Sequence, residues 1–323
     1  MTRRGEFGVI NELFAPLARG SPAGLALTDD AALLDVIPGH EIVATTDALV
    51  EGVHFHADDA PDLIGRKLLR VSLSDLAAMG AEPYVYLLTL AVPPGYGDAW
   101  LERFTGGLAQ DQREFDIHLA GGDTVSTEGT LVLSLTAFGI VPSGQALRRS
   151  DATEGEDLWT SGTIGDSALA LEAMHAGLEA AEAAFLRDRY LLPRPRIALG
   201  IALRGVASAC IDVSDGLVAD LGHVCRSSGI GGEVWTASIP LSRPARALLG
   251  ADTELIRTVL GGGDDYELLF CAPPERREDI ETLAQGCGVA VTRIGRMHDG
   301  DGVVVLDANG AEISLTFHGY THF

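Results

Sequence analysis

Basic side chains, paired cysteines and long apolar runs are all scarce in this chain, and each shortage removes a class of function. Against 46 Asp and Glu there are only 23 Lys and Arg, a formal charge of −23. That balance excludes a general nucleic-acid surface or an anionic-membrane surface. It suits a cationic or metal-bound ligand, and equally a protein kept soluble by its acids. The four cysteines, Cys210, Cys225, Cys271 and Cys287, include no C-x-x-C pair, which argues against a zinc ribbon or a disulfide framework and for a reducing compartment. Arg3 and Arg4 are followed by no apolar stretch, and no window reaches the roughly 18 uninterrupted apolar residues of a membrane span. A cytoplasmic protein without membrane or nucleic-acid partners is expected. Also missing are a G-x-x-x-x-G-K-[ST] loop, which excludes a P-loop enzyme, and a convincing His/Ser/Asp triad.

At 323 residues the chain is long for one core and comfortable for two domains. Glu41–Thr46, Tyr84–Val92 and Thr130–Val141 are rich in β-branched and aliphatic residues and read as strands. Pro61–Met79 and Asp98–Phe115 space their apolar residues three and four apart, as helices lying on a sheet do. The pattern breaks at Pro142-Ser143-Gly144 and a polar stretch follows, so the expected domains are 1–147 and 148–323. The second half again mixes helices and strands, with strands at Leu158–Ser161, Ser208–Val213, Glu267–Ala272, Val289–Ile294 and Val303–Leu306. The Ala/Glu-rich run Leu178–Ala184 reads as a solvated helix. The fold class is therefore α+β.

What the chain does have is five acidic clusters beside Gly, Ser or Thr: Asp29-Asp30, Thr45-Thr46-Asp47, Ser74-Asp75, Gly121-Gly122-Asp123-Thr124 and Asp212-Val213-Ser214-Asp215-Gly216. Hard divalent cations take carboxylate oxygens and keep positions open for water and phosphate, so this pattern suits several Mg²⁺ ions and a polyphosphate. Each cluster also has a plain reading. Asp29 and Asp30 fit a solvated turn; Asp47 ends a strand; Ala77, Ala78 and Met79 form a packing face that does not explain Asp75; and Gly121-Gly122-Asp123 reads as a glycine turn letting N–H groups near a phosphate. Asp212 to Leu217 leads from strand to helix, where the helix start would add N–H donors for phosphate, although Asp215 could simply cap. His54 is either a phosphate contact or a structural histidine. Glu267, in Gly263-Asp264-Asp265-Tyr266-Glu267, could accept from a substrate amino group. Gly162 to Ser167 reads as a tight strand-to-helix connection, and Arg148 and Arg149 are either a phosphate clamp or solvated linker arginines.

Taken in order, these segments resemble the thiamine-monophosphate kinase family. The resemblance also covers Gly5-Glu6-Phe7, Gly52-Val53-His54-Phe55, Gly80-Ala81 and the terminal Gly319-Tyr320-Thr321-His322-Phe323. It implies a two-domain fold of the kind shared with aminoimidazole-ribonucleotide synthetase, selenophosphate synthetase and hydrogenase-maturation proteins. The first domain would be an α/β domain that dimerises through its strands and the second an α+β domain. It further implies ATP as co-substrate, several Mg²⁺ ions, thiamine monophosphate as acceptor and a homodimer. Carried over position by position, Asp30, Thr45, Thr46, Asp47, Asp75, Asp123, Asp212 and Asp215 look like metal ligands, with Asp47, Asp75 and Asp123 at the chemistry. Gly122, Asp123, Arg149 and Ser214 look like nucleotide contacts, and His54, Glu267 and Tyr320 like contacts to thiamine phosphate. Ser72 stands where the family often has Asn, and the adjacency of Arg148 leaves the choice of Arg149 open by one residue. A sister enzyme with another acceptor, a metal-dependent phosphatase and a non-catalytic sensor are the competing readings; against selenophosphate synthesis, no Cys lies in the first domain.

Overall fold

The computed structural model describes residues 4–173 and 180–314. Tyr320 and the rest of the terminal pentapeptide lie outside these residues, as does the start of the Leu178–Ala184 run. The chain divides into two compact units, Met1–Leu76 with Ala81–Gly144, and Ala77–Gly80 with Gln145–Phe323.

The first unit runs β1 (His40–Val50), α1 (Pro61–Ala78), β2 (Glu82–Val92), α2 (Asp98–Phe115), β3 (His118–Ser126) and β4 (Val132–Pro142). Its sheet has the order β1-β4-β2-β3, with β2 and β3 parallel and the other pairs antiparallel. A parallel neighbour needs a long crossover, and α2 provides it. Strand pleating places successive side chains on opposite faces. Along β1, Ile42, Ala44, Thr46 and Ala48 are exposed, whereas Val43, Thr45, Asp47 and Leu49 are shielded. The apolar stripe of α1 buries Leu68, Leu69, Leu73 and Leu76 completely. On another face of the same helix, Arg66 and Arg70 donate to the fully buried Asp111 of α2, at 2.8 Å from Arg66 Nε and at 2.6 and 3.0 Å from Arg70 Nε and Nη2.

One expectation fails here. Gly121-Gly122-Asp123-Thr124 is not a turn: β3 continues through it to Ser126, in register with Leu87–Leu90 of β2. The glycine is needed because β2 comes too close, and a Cβ on Gly122 would lie 1.9 Å from the Leu88 carbonyl oxygen. A register shift between Tyr86 and Leu87 marks the same place.

The second unit runs β5 (Asp157–Ser161), α3 (Asp166–Ala173), α4 (Ala180–Leu191), α5 (Ile197–Ala202), β6 (Ala209–Asp212), α6 (Leu217–Ser228), β7 (Gly231–Trp235), α7 (Arg243–Ala251), α8 (Ile256–Gly261), β8 (Leu268–Ala272), α9 (Arg277–Gly286), β9 (Val291–His298) and β10 (Val303–Leu306). The sheet order is β10-β7-β9-β5-β8-β6, with only β10 and β7 parallel. Every residue of β5, β6 and β8 is buried, but only β8 reads as a continuous apolar run, since β5 also buries Asp157, Thr160 and Ser161 and β6 ends in Asp212. One core cluster gathers Leu217, Leu221 and Val224 of α6 with Val259 and Leu260 of α8. A second joins Trp159 and Phe270 with Leu199 and Ile280. β7, α7 and α8 lie outside the expected elements, although α7 carries a legible start, with Ser242 as its N-cap and Pro244 in the first turn. The cysteines are free, three of them buried, and burial pushes the Cys225 thiol up to about 11, out of the reactive range.

Candidate active site

Two acid-rich centres emerge, one in each unit. In the first, the shielded face of β1 meets α1. The Thr45 hydroxyl donates to Asp75 Oδ2, and the Ser72 hydroxyl donates to Asp47 Oδ2 at 2.6 Å. Burial, reinforced by the charge of Asp75, pushes the Asp47 carboxyl up to about 6, and the Ser72 bond only partly offsets this. Two carboxylates, one of them raised by the other's charge, flanked by hydroxyls, form an all-oxygen donor set of the kind hard divalent cations prefer. The donor chemistry therefore fits Mg²⁺. Thr46 points to the opposite face, where its hydroxyl donates to the Leu135 carbonyl at 3.3 Å and accepts from Thr136 at 3.1 Å.

The first unit also holds a cavity of about 660 Å³, lined on the face that Thr46 shares with Thr136 and not by Asp47 or Asp75. Its apolar walls include Ile10, Phe14, Leu34 and Phe138, and its polar lining includes Asp29, Asp30, Gly122, Asp123 and Thr124. Pockets of roughly 300–1,000 Å³ with apolar walls and a few polar groups are typical small-molecule sites. Asp30 and Asp123 are exposed. The lead into Asp29 and Asp30 is strained, with Leu25, Ala26 and Leu27 in the left-handed region at φ 47°, 56° and 58°.

His54 closes the turn after β1. Its Nδ1 accepts the Val50 N–H at 3.0 Å, and its carbonyl accepts from the buried Lys67 ammonium at 3.1 Å.

In the second unit, Asp212 ends β6 and is buried, while Ser214 and Asp215 are half-buried in the loop before α6. The loop before the helix turns its own backbone donors inward. The N–H groups of Ser214, Asp215 and Gly216 all donate to Asp220 Oδ2, at 3.0, 3.1 and 3.2 Å. Burial and the charge of Asp215 push Asp220 up to about 7 despite these bonds. Ligand atoms of Asp215, Asp220 and His223 lie within 4.8 Å of one another. Burial, then Arg226 and Arg149, lower the His223 pKa, so Arg149 carries its charge toward this centre. Arg148 instead pairs with Asp151 at 2.7 Å.

Glu267 is fully buried. Arg189 Nη2 donates to its Oε1 at 2.7 Å, Arg196 grips both oxygens at 2.5 and 2.6 Å, and the Ser161 hydroxyl donates at 2.5 Å. Asp220, His223, Arg189 and Arg196 are not among the residues expected from the sequence, whereas Ser72 stands out there as a departure from the family pattern. Only Ser72, one helical turn before Asp75, carried a legible signal.

Comparison with known proteins agrees with this architecture. Residues 28–141 match the model of the AIR synthase related protein N-terminal domain, and 153–307 that of its C-terminal domain. The chain belongs to this two-domain class. Within it, the chain is 43% identical to a thiamine-monophosphate kinase from Caulobacter vibrioides, over 98% of this chain and 90% of the relative. The crystal structure of thiamine-monophosphate kinase from Stenotrophomonas maltophilia superposes with a TM-score of 0.82 at 44% identity, covering 89% of this chain and 91% of that one. A structure described as AaThiL complexed with AMPPCP and TMP superposes at 0.79 with 30% identity, covering 100% of both. The chain is a member of the thiamine-monophosphate kinase family.

Proposed function

We propose that this protein transfers the γ-phosphoryl group of ATP in line to the phosphate of thiamine monophosphate, giving thiamine diphosphate and ADP, the last step of thiamine diphosphate synthesis. One observation carries the reading: Thr45, Asp47, Ser72 and Asp75 gather hydroxyls and carboxylates with no activated nucleophile among them. An acceptor that is itself a phosphate monoester has a second pKa of about 6 and is largely deprotonated near neutral pH, so it needs no general base. What it needs is alignment and relief of repulsion between two anions. The relative bound to AMPPCP and TMP supports the same substrates here.

Asp47, Asp75 and Asp123, with Asp30, Thr45, Asp212 and Asp215, would hold the Mg²⁺ ions. Thr46 could join only through its backbone, since its side chain faces away. Bound Mg²⁺ supplies positive charge against the phosphates of both substrates. The apolar cavity wall of the first unit suits a nucleobase, with Gly122 and Asp123 lining the same cavity; in the second unit, Ser214 and Arg149 are the candidates for phosphate contact. On the thiamine side, Tyr320 would stack on the cationic thiazolium and His54 would approach with the face of the ring away from Val50. Glu267 would reach an aminopyrimidine only by giving up part of its arginine grip.

We further propose a cytoplasmic homodimer formed along β1. This strand is at the sheet edge, with Ile42 42% exposed, and an unpaired apolar edge favours pairing with a second copy. No helix among the described residues is long and apolar enough to cross a membrane. The deciding experiment incubates the protein with Mg²⁺, ATP and thiamine monophosphate, with free thiamine as control, and separates the products. Thiamine diphosphate and ADP should appear one for one, with no diphosphate from thiamine. Free phosphate without thiamine diphosphate would instead mark a hydrolase.

A further inference from the structure

We propose that Asp220 is a positioning residue for phosphoryl transfer, its carboxylate holding the Asp212–Gly216 segment in the shape that presents Asp212, Ser214 and Asp215 to the nucleotide and its cations. The proposal rests on the kinase reading. Asp220 is in the first turn of α6 and is 2% exposed. From there it reaches back over the helix start, and one of its oxygens receives three successive backbone N–H groups. Consecutive amides that converge in this way form an anion-binding concavity. Here the anion is built into the chain.

The other side of the segment is pinned as well. The carbonyls of Val213 and Ser214 accept from the N–H groups of Tyr266 and Asp264 at 2.8 and 2.9 Å, and Val213 donates to the Glu267 carbonyl at 2.8 Å. With the donors of Ser214, Asp215 and Gly216 turned inward to Asp220 and the Val213 and Ser214 carbonyls taken by the 264–267 stretch, the segment is held from both sides with its side chains left to face a ligand. Those of Ser214 and Asp215 are half-exposed. Residues behind metal ligands orient them, and losing one typically costs about 10- to 100-fold in affinity or activity. The competing role is direct ligation, because Asp215 and His223 bring ligand atoms within 4.8 Å of Asp220.

The two roles separate by substitution. Asp220→Asn keeps an acceptor oxygen and loses the charge, whereas Asp220→Ala loses both. Three readouts apply: amide hydrogen exchange at Ser214, Asp215 and Gly216 in the ligand-free protein, affinity for AMPPCP with Mg²⁺, and kcat and KM. In Asp220→Ala, exchange at these amides should rise while β8 stays protected, and AMPPCP affinity and kcat should fall about 10- to 100-fold. Asp220→Asn should recover most of each. An Asn variant that keeps protected amides yet binds AMPPCP as poorly as the Ala variant would overturn the proposal in favour of ligation. An Ala variant with wild-type protection and binding would overturn it outright. If Asp220→Ala does not fold, Asp220→Asn decides alone, with retained protection and binding in support and lost binding on a native fold against. Absence of thiamine diphosphate from the wild type would defeat the kinase reading separately, since exchange and AMPPCP binding still judge Asp220.

Discussion

The buried hydroxyl of Ser72 donates a 2.6 Å hydrogen bond to Asp47 Oδ2. Ser72 faces β1 from α1, three residues before Asp75, so one helix turn supplies both a carboxylate and the group that orients its neighbour. The Ser72 hydroxyl thus stands behind a carboxylate and fixes its orientation. Ser72→Ala should lower kcat by about 10- to 100-fold with little change in the far-ultraviolet circular dichroism. Wild-type turnover in that variant would mean the bond does not orient Asp47 for chemistry.

The raised affinity of Asp47 for protons makes cation binding visible as proton release. At pH 6 its carboxyl, pushed up to about 6 by burial and Asp75, is about half protonated, and Asp220 at about 7 is mostly so. A bound divalent cation favours the ionised forms. Titrating Mg²⁺ into the protein at pH 6, in buffers of different ionisation enthalpy, should show net proton release that shrinks toward pH 8. Asp47→Asn should release fewer protons and turn over more slowly than Ser72→Ala, because it removes the carboxylate itself. An unchanged proton count in Asp47→Asn would remove Asp47 from the cation site.

The fold was legible where periodicity was strong. Asp98–Phe115 and Val303–Leu306 coincide with the observed elements, and the long strands and α1 differ only at their ends. Gly121-Gly122-Asp123 misled because glycine beside an acid is the common signature of a turn, while here the glycine serves the close approach of β2. The acidic clusters could be read as such, but their internal wiring could not. Nothing local in the sequence says that the Asp220 carboxylate faces back onto Ser214, or that Arg189 and Arg196, more than 70 positions away, converge on Glu267. Those contacts are products of tertiary packing.

Arg148 and Arg149 separate in space although adjacent in sequence. Arg148 pairs with Asp151, both well exposed, while the charge of Arg149 reaches His223 and helps hold its pKa down. Hydrogen bonds to charged groups contribute about 1.5–3 kcal/mol, so Arg149→Ala should raise the KM for ATP about tenfold or more. Arg148→Ala should change it little, as exposed pairs contribute little. Steady-state kinetics at saturating thiamine monophosphate decides, and the reverse ranking would move the phosphate contact to Arg148.

Glu267 sits between two arginines with no solvent exposure. Removing one partner of a buried ion pair typically costs about 3–5 kcal/mol, because the charge left behind is uncompensated. Glu267→Gln should lose stability on that scale in urea denaturation. Gly162→Ala should fail by the same network, since its Cβ would stand 2.1 Å from Glu267 Oε1 at a φ of 56°. A Glu267→Gln protein of native stability with a raised KM for thiamine monophosphate alone would instead mark Glu267 as a substrate contact.

Asp265, two residues away, gives the second unit a stability that depends on pH. It accepts the Gly165 N–H at 2.6 Å and is fully buried. Burial, with Asp166 adding to it, pushes its carboxyl from 3.8 up to about 8 against the opposing pull of the Gly165 bond and Arg189. Between those values the folded protein binds more protons than the unfolded chain, so stability falls as pH rises through the window and the loss is complete above about 8. Asp220 and Asp47, also raised, contribute with the same sign but finish lower, near 7 and 6. From pH 7 to 8 the larger share of the change therefore belongs to Asp265, while Asp220 finishes its titration. Asp265→Asn keeps an oxygen for the Gly165 N–H and cannot ionise, so its urea midpoint should decline less than that of the wild type across this stretch. Parallel curves for the two proteins would show that Asp265 is already ionised at pH 7, stabilised by Arg189 more strongly than burial opposes it.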